Sequence, residues 1–155
     1  MKFSEFIVKE AVEPNLKATD RDAVLAELVN KLADAGALPK TAVEEVVAAL
    51  IKREKNGSTG FGKGVAVPHV KHPKIKKMVG TLGRSVRGID FAALDHQSVY
   101  IAVLLLSPEN QPQQHLQAMN IIFTSLQKDT FRRFLRQSAT SDGIIELLDE
   151  ADQGK

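Results

Sequence analysis

His69 is the residue of this chain that is best suited to take part in a chemical reaction. It follows Pro68 and a short apolar run at 65–67. A neutral imidazole is a nucleophile near physiological pH, so His69 suits a group-transfer reaction. Because proline fixes φ and has no N–H, we expect His69 to lie at a rigid strand exit on the surface. An isolated surface histidine more often has no role, and it is the neighbouring residues that favour the chemical interpretation.

A glycine-rich loop, GSTGFGKG at 57–64, comes just before this histidine. It differs from the P-loop pattern in one residue, Gly64, which replaces the magnesium-binding Ser or Thr. The loop also follows a predicted helix and opens a strand, the reverse of a P-loop, and its spacing does not fit the dinucleotide fingerprint. Glycines in such a loop shape turns with positive φ and can let backbone N–H groups face an anion. We therefore expect a phosphate site without a nucleotide cofactor.

Positive charge is concentrated around this loop. Residues 51–90 carry ten Lys/Arg and two Asp/Glu, a net +8, whereas the segments before and after them each carry −3. Arg53, Lys63 and Lys71 are all near His69 in the sequence. Phosphate transferred to an imidazole creates charge that such cations offset. The distribution predicts an anionic ligand or an acidic partner at this part of the chain.

His115 lies near the start of a predicted helix. The positive end of the helix dipole lowers the pKa of an imidazole and favours a bound anion, so a neutral His115 can donate a hydrogen bond to a phosphoryl oxygen. The alternative is a packed core histidine, because Met119, Ile122 and Leu126 share its general face. The residues alone leave both interpretations open.

A metal site and a nucleic-acid site are both poorly supported. His69 and His72 form an H-x-x-H pair, but Pro73 breaks helical spacing, the chain has no cysteine, and no carboxylate lies near the pair. We expect no metal and a solvent-exposed His72. The basic run KHPKIKK at 71–77 lacks interleaved aromatic residues, so stacking on bases is not supported. An acidic or phosphorylated protein explains this charge equally well, and we expect no nucleic-acid partner.

The helices that must position these residues have recognisable ends. A first helix begins near Thr19 and Asp20, which are good N-caps, and ends at Gly36. A second helix opens at Thr41, with Glu44 three residues later as a capping box. Three more helices are predicted at about 111–127, 130–138 and 142–150.

Three strands are predicted between the second and third helices, at 65–67, 78–87 and 99–106. The segment VYIAVLLL at 99–106 is apolar on both faces, which indicates a central strand covered by helices on both sides. Ser107-Pro108 ends it. The short separation from 78–87 favours an antiparallel pair. The elements together predict an α/β sandwich of three layers, with a mixed β-sheet and helices on both faces.

The composition is that of an ordinary globular protein. The 155 residues are 43% hydrophobic and 26% charged, which suits one domain over 1–155. The absence of cysteine fits a reducing compartment. The N-terminus has no apolar stretch of signal-peptide length, and 99–106 is far too short to cross a bilayer. We expect a cytoplasmic protein without direct membrane insertion.

These motifs together resemble a known family. The segment KREKNGSTGFGKGVAVPH at 52–69 is similar to the active-site region of EIIA domains of the phosphoenolpyruvate-dependent sugar phosphotransferase system. The similarity is to the mannitol/fructose type, which includes the nitrogen-regulatory members. It continues through VRGIDF at 86–91, LD at 94–95, the strand and SPE at 99–109, and QHL at 114–116. It covers essentially the whole chain, as a single EIIA domain.

The resemblance implies roles for three residues. His69, in A-V-P-H, would be phosphorylated; His115, in H-L, would donate a hydrogen bond to the phosphate; and Arg53, in R-E-K, would stabilise the charge. Phosphate would come from the carrier protein HPr and pass to an EIIB domain for sugar uptake. The alternative is a regulatory binding module, in which phosphorylation of His69 controls which protein is held. Neither function needs a metal or cofactor.

Two positions depart from the family pattern. Val70 replaces the small residue, usually Gly, that follows the active histidine, and a β-branched residue cannot easily take a positive φ. His96 replaces the Gly that often follows the family's Asp. Neither change removes a chemical group of the site, and we expect them to affect the choice of partner.

Overall fold

The structure is a computed structural model that describes residues 1–154. The helices are α1 (Arg21–Asp34), α2 (Val43–Lys55), α3 (Pro112–Leu126), α4 (Asp129–Gln137) and α5 (Ser141–Asp152). The strands are β1 (Val65–Ala66), β2 (His69–Lys71), β3 (Val79–Ile89) and β4 (Val99–Ser107). Short 3-10 turns lie at Phe3–Glu5, Lys9–Ala11 and Lys40–Ala42. None of the helices in residues 1–154 has the length and apolar content needed to span a bilayer.

Strand β4 is the centre of a mixed sheet. Strand β3 runs antiparallel to it along one edge, with Val79 opposite Leu106. Strands β1 and β2 both run parallel to it along the other edge, with Val65 opposite Ile101 and His69 opposite Leu105. The segments β1 and β2 are therefore two parts of one interrupted strand, and β4 is paired on both sides.

Apolar side chains of β4 alternate between two packed layers, as the period of a β-strand requires. One face packs against α1 and α2, and it comprises Ala102, Leu104 and Leu106. The other face packs against the N-terminal turns and α3, α4 and α5, and it comprises Ile101, Val103 and Leu105. The three-layer α/β sandwich with a mixed sheet is confirmed. The predicted antiparallel pairing of the two long strands is confirmed as well.

The two predicted helix starts had different outcomes. Asp20 caps α1, and its carboxylate accepts a hydrogen bond from the Ala23 N–H at 3.0 Å. The capping box at Thr41 was wrong. The 3-10 turn Lys40–Ala42 precedes α2, and the Ala42 N–H donates to the Pro39 carbonyl at 3.0 Å. Because backbone atoms already close this first turn, α2 begins at Val43 without a side-chain cap.

We expect Leu104→Ala to destabilise the fold by about 2–5 kcal/mol, the usual cost of truncating a leucine in a packed core. Leu104 is completely buried between β4 and the helices α1 and α2. The free energy of unfolding in urea measures the effect. Leu116→Ala is the matched control, because that leucine is 70% exposed and its loss leaves no cavity. Equal losses in the two variants would contradict the assigned core.

Candidate active site

The interruption between β1 and β2 positions His69. Pro68 lacks an N–H and cannot donate to the sheet, yet its carbonyl still accepts from the Leu105 N–H at 3.0 Å. The chain therefore returns to β4 after Pro68 and continues as β2. We had expected His69 at a strand exit on the surface, and the strand exit was wrong. His69 is the first residue of a strand and is half-buried.

One ring nitrogen of His69 is fixed by the backbone. Its Nδ1 lies 2.7 Å from the Val67 carbonyl oxygen. A carbonyl oxygen only accepts, so Nδ1 must carry the proton that is shared in this bond. In the neutral ring the other nitrogen, Nε2, then carries the lone pair. The backbone thus selects the tautomer with the lone pair on Nε2, the form that a nucleophilic role would require.

His115 lies beside His69 although the two are 46 positions apart in the sequence. The ring centroids are 5.5 Å apart and the rings are inclined by 50°. His115 lies in the first turns of α3, is only 8% exposed, and has its Nδ1 2.7 Å from Oγ of Ser107. Both interpretations of the sequence hold in part, since this histidine is packed into the protein and also adjoins the candidate nucleophile.

Both Nε2 atoms are accessible from outside. Neither nitrogen has a hydrogen-bond partner among residues 1–154. In that part of the chain, Oγ1 of Thr81 is the only fully buried side-chain polar atom without a partner. The Nε2 atoms of His69 and His115 must therefore have solvent-accessible surface. Two imidazoles with their Nδ1 atoms fixed present their second nitrogens at the protein surface, where an incoming phosphoryl group can reach them.

Burial keeps both imidazoles neutral. It is the main cause that lowers the pKa of His69; the Val67 carbonyl and Glu54 oppose this shift, and the charges of Arg53 and Lys71 add to it. Burial also lowers the pKa of His115 from 6.5 to about 4, with further contributions from His69 and Lys71. The predicted lowering of the His115 pKa is thus present, but burial is its main cause. At neutral pH both rings are uncharged, as a nucleophile and a hydrogen-bond donor require.

The lowered pKa of His115 predicts how stability depends on pH. As pH falls, an unfolded chain takes up a proton on this residue near pH 6.5, whereas the folded protein does so only near pH 4. Protonation therefore favours unfolding, and the contribution to stability is complete above pH 6.5 and lost as pH falls towards 4. We expect the free energy of unfolding to fall less steeply in His115→Gln than in the native chain. Identical pH profiles of urea unfolding would contradict the lowered pKa.

Arg53 lies in the last turn of α2, and this helix contacts β2. Its Nη1 donates to the Gly57 carbonyl at 2.9 Å, which ties the guanidinium to the start of the glycine loop. Its charge contributes to the lowered pKa of His69 and is therefore within electrostatic range of that ring. Lys71, exposed at the end of β2, acts on both histidines. The structure thus places His115 beside His69, puts Arg53 within electrostatic range of His69, and adds Lys71 as a second cation.

A buried carboxylate anchors the glycine loop. Glu54 is only 3% exposed, and it accepts hydrogen bonds from the Thr59 N–H at 3.0 Å and the Thr59 hydroxyl at 2.6 Å. The Thr59 carbonyl in turn accepts from the Val67 N–H, two residues before His69. This chain of bonds connects α2 to the strand that carries the nucleophile. Glu54 was not singled out from the sequence, and a threonine five residues after it was the one signal of this pairing.

The glycines shape the loop, and the structure does not show them as a phosphate cradle. Gly62 and Gly64 have φ of 117° and 77°, which favour glycine. The Gly64 carbonyl accepts from the Tyr100 N–H, at the end of β4 far from Leu105, the partner of His69. Five strand residues separate these positions by about 17 Å. The Gly64 end of the loop is therefore far from His69, whereas the Thr59 end bonds to Val67, two residues before His69.

The remaining histidines have local roles. Nδ1 of His72 accepts a hydrogen bond from the Lys74 N–H at 3.0 Å within a turn, and the residue is half-buried instead of solvent-exposed. No group of three metal-ligating side chains is found in the described residues.

His96 has a φ of 60°, which explains why glycine would suit this position. Val70, in contrast, lies in β2 and pairs with Leu106 of β4. It does not have a positive φ, so it fits without backbone strain.

Comparison with known proteins now identifies the family. Residues 5–151 match the family model described as "Phosphoenolpyruvate-dependent sugar phosphotransferase system, EIIA 2". The chain belongs to this EIIA family. The family predicted from the motifs at 52–69 and 99–116 is thus confirmed.

This EIIA chain is similar in sequence to relatives of two kinds. The nitrogen regulatory protein of Bradyrhizobium diazoefficiens is 37% identical over 148 residues, covering 96% of this chain and 95% of the relative. The fructose-specific EIIABC component of Bacillus subtilis is 30% identical over 154 residues. That match covers 99% of this chain, which spans only 24% of the relative's length. Both the regulatory and the sugar-transport branches of the EIIA family are thus represented.

Solved structures show the same fold. The nitrogen regulatory protein IIA-Ntr of Neisseria meningitidis superposes with a TM-score of 0.84 at 25% identity. The superposition covers 94% of this EIIA chain and 98% of the other. The arrangement of β4 between two helical layers is therefore that of a known EIIA protein.

Proposed function

We propose that this EIIA chain, as a single domain over residues 1–155, is a phosphoryl carrier with His69 as the phosphorylated residue. The observation that carries the proposal is the adjacent pair of neutral imidazoles, His69 and His115, with ring centroids 5.5 Å apart and both Nδ1 atoms engaged. The Val67 carbonyl leaves the lone pair on Nε2 of His69, and the ring of His115 lies beside that of His69. Membership of the phosphotransferase family supplies the class of reaction.

In the proposed reaction, the lone pair of His69 Nε2 attacks the phosphorus of a phosphohistidine on the donor protein, HPr. A new N–P bond forms while the donor's N–P bond breaks, and that electron pair returns to the donor imidazole. His115 would donate a hydrogen bond from Nε2 to a phosphoryl oxygen, and Arg53 and Lys71 would offset the negative charge. Phosphoryl transfer of this kind depends on positioning and electrostatic stabilisation, which these residues supply. The same steps in reverse pass the phosphate to an acceptor.

An EIIB domain is the acceptor in the sugar-uptake version of this function. The Bacillus subtilis relative is named as an EIIABC component, which joins the EIIA part to B and C parts. A cytoplasmic location follows from such partners and stays a prediction.

One observation favours a regulatory function as the second candidate. The Bradyrhizobium relative, named a nitrogen regulatory protein, is matched over almost the full length of both chains. In that version, the charge added to His69 would change which protein the EIIA chain holds. Lys71 acts on both histidines, and the exposed Lys76 and Lys77 follow it in the sequence; this basic segment suits an acidic surface on that protein.

Incubation with phosphoenolpyruvate, Enzyme I and HPr tests the carrier function. We expect the intact mass to increase by one acid-labile phosphate. Phosphate that then passes to a purified EIIB domain would favour sugar uptake. Phosphate-dependent binding to a protein outside transport would favour regulation. An HPr that phosphorylates another EIIA domain but leaves this chain unmodified would contradict the carrier function.

A further inference from the structure

Ser107 is a buried hydroxyl in contact with the site. It ends β4, is completely buried, and lies opposite Lys71 in the sheet. Its Oγ is 2.7 Å from Nδ1 of His115. Among the hydrogen bonds of residues 1–154, the Ser107 hydroxyl has this nitrogen as its one partner. The sequence indicates Ser107 only as the end of a strand, because the eight-residue separation from His115 does not by itself place the two in contact.

The direction of this hydrogen bond follows from the number of acceptors within reach of the Ser107 hydroxyl. A serine hydroxyl has one hydrogen and must donate it to an acceptor when it is buried. If His115 donated from Nδ1 to Ser107, the hydroxyl hydrogen would have no acceptor among the described residues. If Ser107 donates to Nδ1, no buried donor is left unpaired. The neutral ring of His115 then carries its own proton on Nε2.

We propose that Ser107 is a positioning residue that holds His115 in the tautomer with a proton on Nε2. This assignment deepens the proposed function, because that proton is the one a phosphoryl group on the neighbouring His69 requires. The opposite tautomer would turn a lone pair towards the phosphoryl oxygens and repel them. His69 and His115 are therefore held in opposite tautomers: the Val67 carbonyl leaves a lone pair on Nε2 of His69, and the Ser107 hydroxyl leaves a hydrogen on Nε2 of His115.

Nitrogen chemical shifts of the imidazole rings test the tautomer directly. A long-range ¹H–¹⁵N spectrum at pH 7.5 distinguishes a protonated from an unprotonated ring nitrogen, and His115→Ala assigns the signals. We expect Nε2 of His115 to be protonated in the native chain, and Ser107→Ala to give a mixture of tautomers. Ser125→Ala is the matched control, because Ser125 is also buried but has no contact with a histidine. It should leave the His115 signals unchanged.

Kinetics test whether the tautomer matters for transfer. We expect Ser107→Ala to accept phosphate about tenfold more slowly, which corresponds to about 1.4 kcal/mol in the barrier. The same substitution made in a His115→Ala chain should have no further effect, because Ser107 acts only through His115. A purely structural role would slow transfer in both chains and leave the tautomer unchanged.

Several results would overturn the proposal. A native His115 protonated on Nδ1 would do so, and so would a Ser107→Ala chain with unchanged tautomer, whatever its rate. If Ser107→Ala does not fold, the tautomer of the native chain still decides. A native chain with Nε2 protonated that accepts no phosphate would contradict the carrier function and retain the assignment of Ser107.

Discussion

His69→Ala is expected to abolish phosphorylation by phosphoenolpyruvate, Enzyme I and HPr. The substitution removes the proposed nucleophile of the site, since the Val67 carbonyl fixes the proton on Nδ1 and leaves the lone pair on Nε2. His115 cannot replace it, because in our assignment its Nε2 carries a proton and its Nδ1 is bound to Ser107. Intact mass spectrometry under conditions that preserve phosphohistidine measures the result.

His72→Ala is the control for this experiment. His72 lies three residues from His69, but its Nδ1 accepts only the Lys74 N–H of a local turn. We expect the variant to gain one phosphate at the native rate. A phosphate that persists in His69→Ala, with the native urea midpoint retained, would place the modified residue elsewhere and exclude the assigned nucleophile.

His115→Ala is expected to slow phosphate acceptance by about 10²–10³-fold, the usual effect of removing one preorganised donor from a charged transition state. The final extent of phosphorylation should change much less, because His69 remains. The pKa of His69 should rise towards its ordinary value in this variant, since the cavity admits water and weakens the burial that lowers it. Rapid-quench measurements with phosphorylated HPr give the rate, and an NMR titration of His69 gives the pKa.

His72→Ala serves again as the histidine control for this rate. The ring of His72 is held in a local turn by the Lys74 N–H. It should accept phosphate at the native rate. A His115→Ala chain as fast as this control would mean that His115 packs beside His69 without assisting the transfer.

The sheet could be predicted from the sequence because its core strand is unusual in composition. The run VYIAVLLL is apolar at every position, and only a strand buried on both faces requires that pattern. The interruption at Pro68 could not be predicted in the same way. Proline usually ends a central strand, and only the pairing of both β1 and β2 with β4 shows that the strand continues and half-buries His69.

The sequence predicted the residues proposed to take part in the reaction, but it did not predict the residues that hold them in position. His69 and Arg53 were predicted from residue types beside a basic glycine loop, and His115 from its position near a helix start; the structure places His115 beside His69 and Arg53 within electrostatic range of His69. Glu54 and Ser107 were missed, because a charged residue at a helix end and a serine before a proline each have a common local explanation. Their contacts depend on how the loop folds back and how α3 docks on β4, which local patterns do not encode.

The Glu54 carboxylate that anchors Thr59 would also affect the stability of a phosphoryl group on His69. It lies close enough to His69 to raise the pKa of that imidazole against the larger effect of burial. A phosphoryl group on His69 would bring negative charge within reach of the same carboxylate, and like charges repel. This repulsion would offset part of the stabilisation that Arg53 and Lys71 give to the phosphate. The buried carboxylate would thus limit how tightly the cationic side chains hold the phosphoryl group, so that it can leave as well as arrive.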